Sequence, residues 1–288
     1  LTLPLSLEHA QQVADAFDRA DTANQETSGR RGCVVHLPAC ADGDLLVAGD
    51  LHGDRESFDR LLVLADLEKH PLRHLVLQEV CHGGPRYASG GCRSHEMLEQ
   101  VARLKLQFPD RLHFLLSNHE LSEVTEHPIL KRGKMLNVLF RCGMHQAFGD
   151  QCETVRQAMC RFLTSCPVAI RLEHRVWLSH SLPTQVDSEG FNTGMFERQL
   201  LPDDMVSGGS AFKLVWGRDY RPENAAAFSQ LVDADLLVTG HEACAAGSRT
   251  PGPQQLILDS CCAEPSYLLL PLDQPCTLKQ AVARVGRL

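Results

Sequence analysis

A chain of 288 residues with 43% hydrophobic and 22% charged side chains can bury a substantial core and has the balance of an ordinary globular protein. Its formal charge of −8 weighs against nucleic acid as the main partner, because phosphate backbones recruit an excess of Lys and Arg. No run approaches the roughly 20 apolar residues of a spanning helix, so no membrane association is expected.

Residues 7–23 carry apolar side chains at helical spacing (Leu7, Val13, Ala14, Phe17), and a polar linker follows from Asp21 to Arg31. Residues 1–30 are therefore read as a helix and linker, and 31–288 as one domain. The apolar stretch Leu1 to Leu7 has neither a basic leader nor a small-residue cleavage site. Twelve cysteines include no Cys-x-x-Cys pair, which predicts free, mostly buried thiols; the adjacent pair Cys261-Cys262 is the one place for redox chemistry. Together these point to a cytoplasmic protein.

Cys33-Val34-Val35 and Leu45-Leu46-Val47 read as strands around the turn signal Ala41-Asp42-Gly43-Asp44. A helical pattern with Phe58, Leu61, Leu62 and Leu64 follows, then a short strand from His74 to Leu77. A Gly-rich loop from Gly83 to Gly91 leads into a predicted helix from Ser94 to Leu106 and a strand from Leu112 to Leu116. The proline-free middle, Lys131 to Ser165, has a helical period throughout. Strands return at Val168 to Ile170, Val176 to Leu178, Leu236 to Val238, Leu256 to Leu258 and Tyr267 to Leu269.

Five predicted strands end within about three positions of a ligand-type residue: Asp50, Glu79, Asn118, His180 and His241. In an α/β fold, residues just past the strand ends converge at one edge of the sheet, where sites are built. Packing alone does not explain Asp, Glu, Asn, His and His at five such ends. Hydrolysis of a phosphate ester needs activated water, balanced charge on the phosphoryl oxygens and a proton for the leaving oxygen. Two divalent metals about 3.5–4 Å apart meet the first two needs, given oxygen and imidazole ligands and a carboxylate able to bridge. Gly49-Asp50-Leu51-His52-Gly53 places an Asp and a His together where a strand runs out.

With Ser117-Asn118-His119-Glu120, Ser179-His180-Ser181 and Gly240-His241 on later strand ends, the set resembles the calcineurin-like metallophosphoesterases, in particular the serine/threonine protein phosphatase branch. That family carries Gly-Asp-x-His-Gly, Gly-Asp-x-x-Asp-Arg-Gly, Gly-Asn-His-Glu and two later histidines. The likeness covers about Leu45 to Leu270 and includes Ser94-His95-Glu96-Met97-Leu98, Phe108-Pro109 and Val215-Trp216-Gly217-Arg218. It implies a four-layer α/β sandwich, two mixed β-sheets flanked by helices, with metals at one edge. Asp50 and His52 would hold the first of two Mn, Fe or Zn ions, and Asn118 would ligate the second. Glu79 would bridge, and His180 and His241 would hold or complete the pair. His119 would be the general acid, with Arg218 gripping the phosphoryl oxygens. The implied substrate is phosphoserine or phosphothreonine in proteins, or a small phosphoester, attacked by a metal-bound hydroxide.

The second motif departs from the pattern, reading Gln78-Glu79-Val80-Cys81-His82-Gly83-Gly84. Glu79 stands where the family has its bridging Asp, and the added methylene demands a backbone shift or an asymmetric bridge. His82 stands where the family's second Asp orients the catalytic histidine, as a catalytic partner or as a satisfied loop histidine. Gly83 takes the arginine position, leaving Arg86 or Arg93 to supply the missing charge. Two other readings stay open: hydrolysis of a nucleotide or dinucleoside polyphosphate, and a binding protein that keeps the fold with weakened catalysis.

Overall fold

The computed structural model describes residues 6–288. The first half of the chain contributes strands β1 (Arg30–Arg31), β2 (Val34–Leu37), β3 (Asp44–Asp50), β4 (Arg73–Gln78), β5 (Leu112–Leu115), β6 (Leu130–Lys131) and β7 (Lys134–Met135). The second half contributes β8 (Ala169–Leu172), β9 (Val176–Ser179), β10 (Leu236–Thr239), β11 (Ser248–Gly252), β12 (Gln255–Leu258), β13 (Ser266–Pro271) and β14 (Val285–Arg287). They form a seven-stranded sheet, β1-β2-β8-β9-β10-β12-β11, and a five-stranded sheet, β14-β13-β3-β4-β5. Both sheets are mixed, and helices flank them, which is the sandwich expected.

The apolar runs alternate faces as a pleated strand requires. Leu45 and Val47 of β3 point between the sheets, where they meet Val76, Leu178, Val238 and Leu258. Leu46 and Ala48 point outward, into the core shared with Phe58 and Leu61 of the helix Arg55–Ala65. On the other sheet Trp177 lies edge-on to Phe228 of the helix Pro222–Leu231, with ring centroids 6.1 Å apart. Burying such side chains contributes about 1.5–3 kcal/mol each.

The helix Leu7–Gln25 starts at Ser6, whose Oγ accepts from the His9 amide at 3.1 Å. It buries Val13, Ala14 and Phe17, and Phe17 meets Phe162 of the helix Cys152–Ser165 at 5.7 Å between centroids. The predicted N-terminal helix thus shares the main core; residues 1–5 lie outside the described residues.

One expectation needs correcting. The stretch Lys131 to Ser165 is not helical from its start: β6 and β7 form a small antiparallel hairpin first, and helices Leu136–Phe148 and Cys152–Ser165 follow. The reason is local, because Arg132 and Gly133 take left-handed backbone angles (φ 52° and 72°) that turn the chain before a helix can begin. The short strands β11 and β14 also lacked a clear alternating pattern. All twelve cysteines are free. Among the described residues no helix is long and apolar enough to cross a membrane.

Strands β3, β4 and β5 run parallel to one another, as do β9 and β10, so their C-terminal ends emerge together. There the two sheets touch. The Ser260 amide donates to the Asp50 carbonyl (3.1 Å), and the Gly49 amide donates to Ser260 Oγ (2.8 Å). A Cβ on Gly49 would lie 2.4 Å from the Leu258 carbonyl carbon, so glycine permits this approach.

Candidate metal centre

At this edge the structure gathers Asp50 from the end of β3, Glu79 just past β4, Asn118 after β5, His180 after β9 and His241 after β10. All five are buried. Asn118 Oδ1 lies 2.8 Å from His180 Nε2 and 3.1 Å from His241 Nδ1, and the two ring nitrogens are 3.1 Å apart. Glu79 Oε2 sits 3.5 Å from His180 Nε2 and 3.8 Å from His52 Nε2, while its Oε1 is 3.5 Å from His119 Nε2. Glu79 therefore stands between two clusters: His180, His241 and Asn118 on one side, His52 and His119 on the other. Asp50 adjoins Glu79 and accepts from the His241 amide at 2.9 Å. A Cβ on Gly240 would fall 2.2 Å from Asp50 Oδ1, so only glycine leaves room for that carboxylate.

The hydrogen-bond network shows which of these atoms carry protons. Gln78 Nε2 donates to the Ala48 carbonyl (2.9 Å), which turns Gln78 Oε1 toward His180. His180 Nδ1 must then be the donor in its 2.9 Å contact with that oxygen, and Nε2 is left with a bare lone pair. His52 Nδ1 likewise donates to the Cys81 carbonyl at 3.3 Å, baring Nε2. Lone pairs of Asn118 and His180 thus face each other at contact distance. Glu79 Oε2 is buried and, among the described residues, has no hydrogen-bond partner. Such an arrangement repels itself unless a cation sits in it, so the residues present fit a metal.

Ionisation tendencies agree. Burial depresses His52 to about 4 and His241 to about 3, and holds His180 well below the ordinary histidine range, so all three are neutral and able to ligate near pH 7. Burial raises Asp50 to about 6 and pushes Glu79 well above the usual carboxylate range, with Asp50 beside it adding to the effect. Among the described residues no Lys or Arg ion-pairs with either of these adjoining buried carboxylates; Lys131 acts on Glu79 only from a distance.

The backbone around Glu79 is firmly held. Glu79 adopts a left-handed angle (φ 47°), and its carbonyl accepts from the amides of Leu51 (3.1 Å) and His52 (2.6 Å). Glu120 Oε1 holds the next two amides, of Val80 (2.9 Å) and Cys81 (2.8 Å).

Beside the cluster runs a second chain of contacts. His119 Nδ1 lies 3.0 Å from His82 Nδ1, and His82 Nε2 donates to Glu123 Oε1 at 2.7 Å. Asn137 Nδ2 donates to the same oxygen at 2.8 Å, and neither the His82 nor the Glu123 side chain is exposed. His119 and Glu123 are one turn apart on the helix Asn118–Thr125 and bracket His82 between them. Burial, ahead of the nearby His52 and His82, pushes His119 well below the ordinary histidine range. The Glu123 carboxyl lies one contact further along this chain, behind His82.

No protein-family model and no curated protein matches this sequence. Solved structures do match. A protein serine/threonine phosphatase from Saccharomyces cerevisiae superposes with a TM-score of 0.63 at 16% identity, over 90% of this chain and 82% of that one. The chain has the fold of a protein phosphatase. A cold-active protein-tyrosine phosphatase from a Shewanella species matches with a TM-score of 0.53 at 13% identity, over 85% and 78% of the two chains. On this phosphatase fold, the calcineurin-like resemblance accounts for the two-sheet architecture and for the strand ends that carry the motifs.

The arginines divide. Arg218 lies beside the centre but turns to Glu242 (2.7 Å) and to the His241 carbonyl (3.2 Å). Arg86 lines the cleft in front of the centre, whereas Arg93 is ion-paired with Glu96 at 2.9 Å. Gln78 and Glu123 were given no role in the sequence, and Glu120 stood in the third motif without one. Only the four-residue spacing of His119 and Glu123 and the place of Gln78 before Glu79 could have pointed to them.

Proposed function

We propose that this chain is a metal-dependent phosphoesterase that hydrolyses phosphomonoesters, with phosphoserine or phosphothreonine in proteins as the substrate class. The reading is carried by the convergence of bare acceptor atoms of Glu79, Asn118 and His180 beside His119. Glu79, Asn118, His180 and His241 would hold one ion, and Asp50, His52 and Glu79 the other; the donor set suits Mn, Fe or Zn. When bound, such a pair supplies Lewis acidity and an activated water.

The chain's own residues supply the rest. As the bond from phosphorus to the leaving oxygen breaks, His119 gives its Nε2 proton to that oxygen. Before transfer, one proton is shared between His119 Nδ1 and His82 Nδ1, and the buried Glu123 carboxylate balances its charge. After transfer both imidazoles are neutral, and His82 still donates to Glu123. Glu123 thus holds, through His82, the ring that a directly placed Asp orients in the family this chain resembles.

The test is phosphate release by the manganese-loaded chain from a phosphoserine peptide and from a dinucleoside polyphosphate, with metal content measured on the same sample. Turnover of the peptide is expected. A chain that binds metal and cleaves only the polyphosphate would replace this substrate class. One that binds fewer than two ions and cleaves neither would be a binding protein.

A further inference from the structure

The cleft in front of the candidate centre, about 630 Å³ in volume, reaches it through His52 and His82. Five cations line it: Arg55, Arg86, Lys131, Arg132 and Lys134. Among the described residues lining it, the one carboxylate, Asp54, caps the helix Arg55–Ala65 by accepting from the Ser57 amide at 3.1 Å. This concentration of positive charge stands out in a chain of net charge −8.

Structural duty does not explain it. Arg55 leans on Gln100 and on Asp59 (3.6 Å). Among the described residues, however, the side chains of Arg86, Lys131, Arg132 and Lys134 make no hydrogen bond or ion pair. Three of them sit on the β6–β7 hairpin, whose residues are all exposed, with Leu130 at 70% and Met135 at 42%. The hairpin contributes little to the core, yet it brings Lys131 within electrostatic reach of His52, Glu79 and His119. Unpaired cations around one mouth raise the local concentration of an anionic ligand.

We infer that this rim recognises acidic residues flanking the phosphorylated side chain, so that the preferred substrate is a phosphosite within an acidic stretch of polypeptide. The inference rests on the phosphoesterase reading above. Two features favour a peptide over a nucleotide. The cations come from three separate elements, Arg55 at the start of a helix, Arg86 on the loop after β4, and Lys131, Arg132 and Lys134 on the β6–β7 hairpin, an arrangement suited to an extended ligand. Among the described residues lining the cleft there is also no Phe, Tyr or Trp on which a base could stack.

The experiment compares two phosphoserine peptides of identical core, one with Glu flanks and one with Gln flanks. The wild-type chain is set against the triple variant Lys131→Gln/Arg132→Gln/Lys134→Gln. The readouts are the ratio of kcat/KM between the peptides on the manganese-loaded protein, and peptide binding to the metal-free protein by fluorescence anisotropy. The wild type is expected to prefer the acidic peptide about tenfold, the scale of several exposed ion pairs acting together. The triple variant should bring the ratio toward one, and high salt should do the same to the wild type. A wild type that does not distinguish the peptides, or a variant that keeps the preference, overturns the inference while leaving the phosphoesterase reading in place. So does cleavage of a dinucleoside polyphosphate with both peptides inert, which would reassign the rim to a polyphosphate chain. A loaded chain that releases phosphate from nothing, p-nitrophenyl phosphate included, brings down the reading of the centre itself.

Discussion

Replacing Glu123 by Gln removes one negative charge from behind the proposed acid while nearly keeping the shape. Glu123 is wholly buried and accepts from His82 Nε2 at 2.7 Å and from Asn137 Nδ2 at 2.8 Å. The amide oxygen of Gln can take both bonds, so the fold should survive. What is lost is charge assistance: a hydrogen bond to an ionised partner contributes about 1.5–3 kcal/mol, against about 1 kcal/mol for a neutral one. A loss of about 1–2 kcal/mol in holding the protonated His119–His82 pair corresponds to roughly a five- to thirtyfold fall in kcat. It should appear on phosphoserine peptide, whose alkoxide leaving group needs a proton. It should be nearly absent on p-nitrophenyl phosphate, whose phenolate leaves without one, and KM should change little on either. Steady-state kinetics on the two substrates, with circular dichroism to check the fold, decides the matter. An equal fall on both substrates, or none on the peptide, would refute the view that Glu123 acts through the acid.

Two other outcomes follow from the geometry. Gln78→Leu deletes the acceptor that keeps His180 Nδ1 protonated and its Nε2 bare, so metal affinity should drop about 10- to 100-fold, as read by titration calorimetry with manganese. Unchanged affinity would mean that the tautomer is set elsewhere. For pH dependence, burial lowers His95 to about 4 and holds His113 well below its ordinary range. The unfolded chain therefore binds protons that the folded one refuses, and stability is lost as pH falls below about 6.5 toward 4, by about 1.4 kcal/mol per pH unit for each ring. The neutral imidazoles of the metal-free centre act in the same sense, while Asp50 and Glu79, raised by burial, oppose them. Urea unfolding of the metal-free chain at pH 7, 6 and 5 should show the decline, and a flat profile would contradict it.

The fold was readable because the apolar runs that end in ligand-type residues are buried parallel strands, and topology then delivers Asp50, Asn118, His180 and His241 to one edge. Glu79 and His82 were harder, since their motif departs from the family pattern; their placement depends on a left-handed backbone turn at each (φ 47° and 67°) that residue type does not announce. Glu123 and Gln78 were hidden for a different reason, and Glu120, though part of the quoted third motif, carried no role there for the same reason. They touch the centre only through other residues, so no strand-end rule selects them. The β6–β7 hairpin was mistaken for helix because a two-residue turn is too short to break a helical period in the flanking sequence.

Because Asp50 ends a strand of the five-stranded sheet, Glu79 and Asn118 follow strands of that sheet, and His180 and His241 follow strands of the seven-stranded one, any ion seated among them is also a rivet between the halves of the sandwich. Occupancy and cohesion are then one equilibrium. Taking the ions away should loosen the edge near Gly49 and Ser260 first, where the layers already lean on each other, and leave the opposite rim undisturbed.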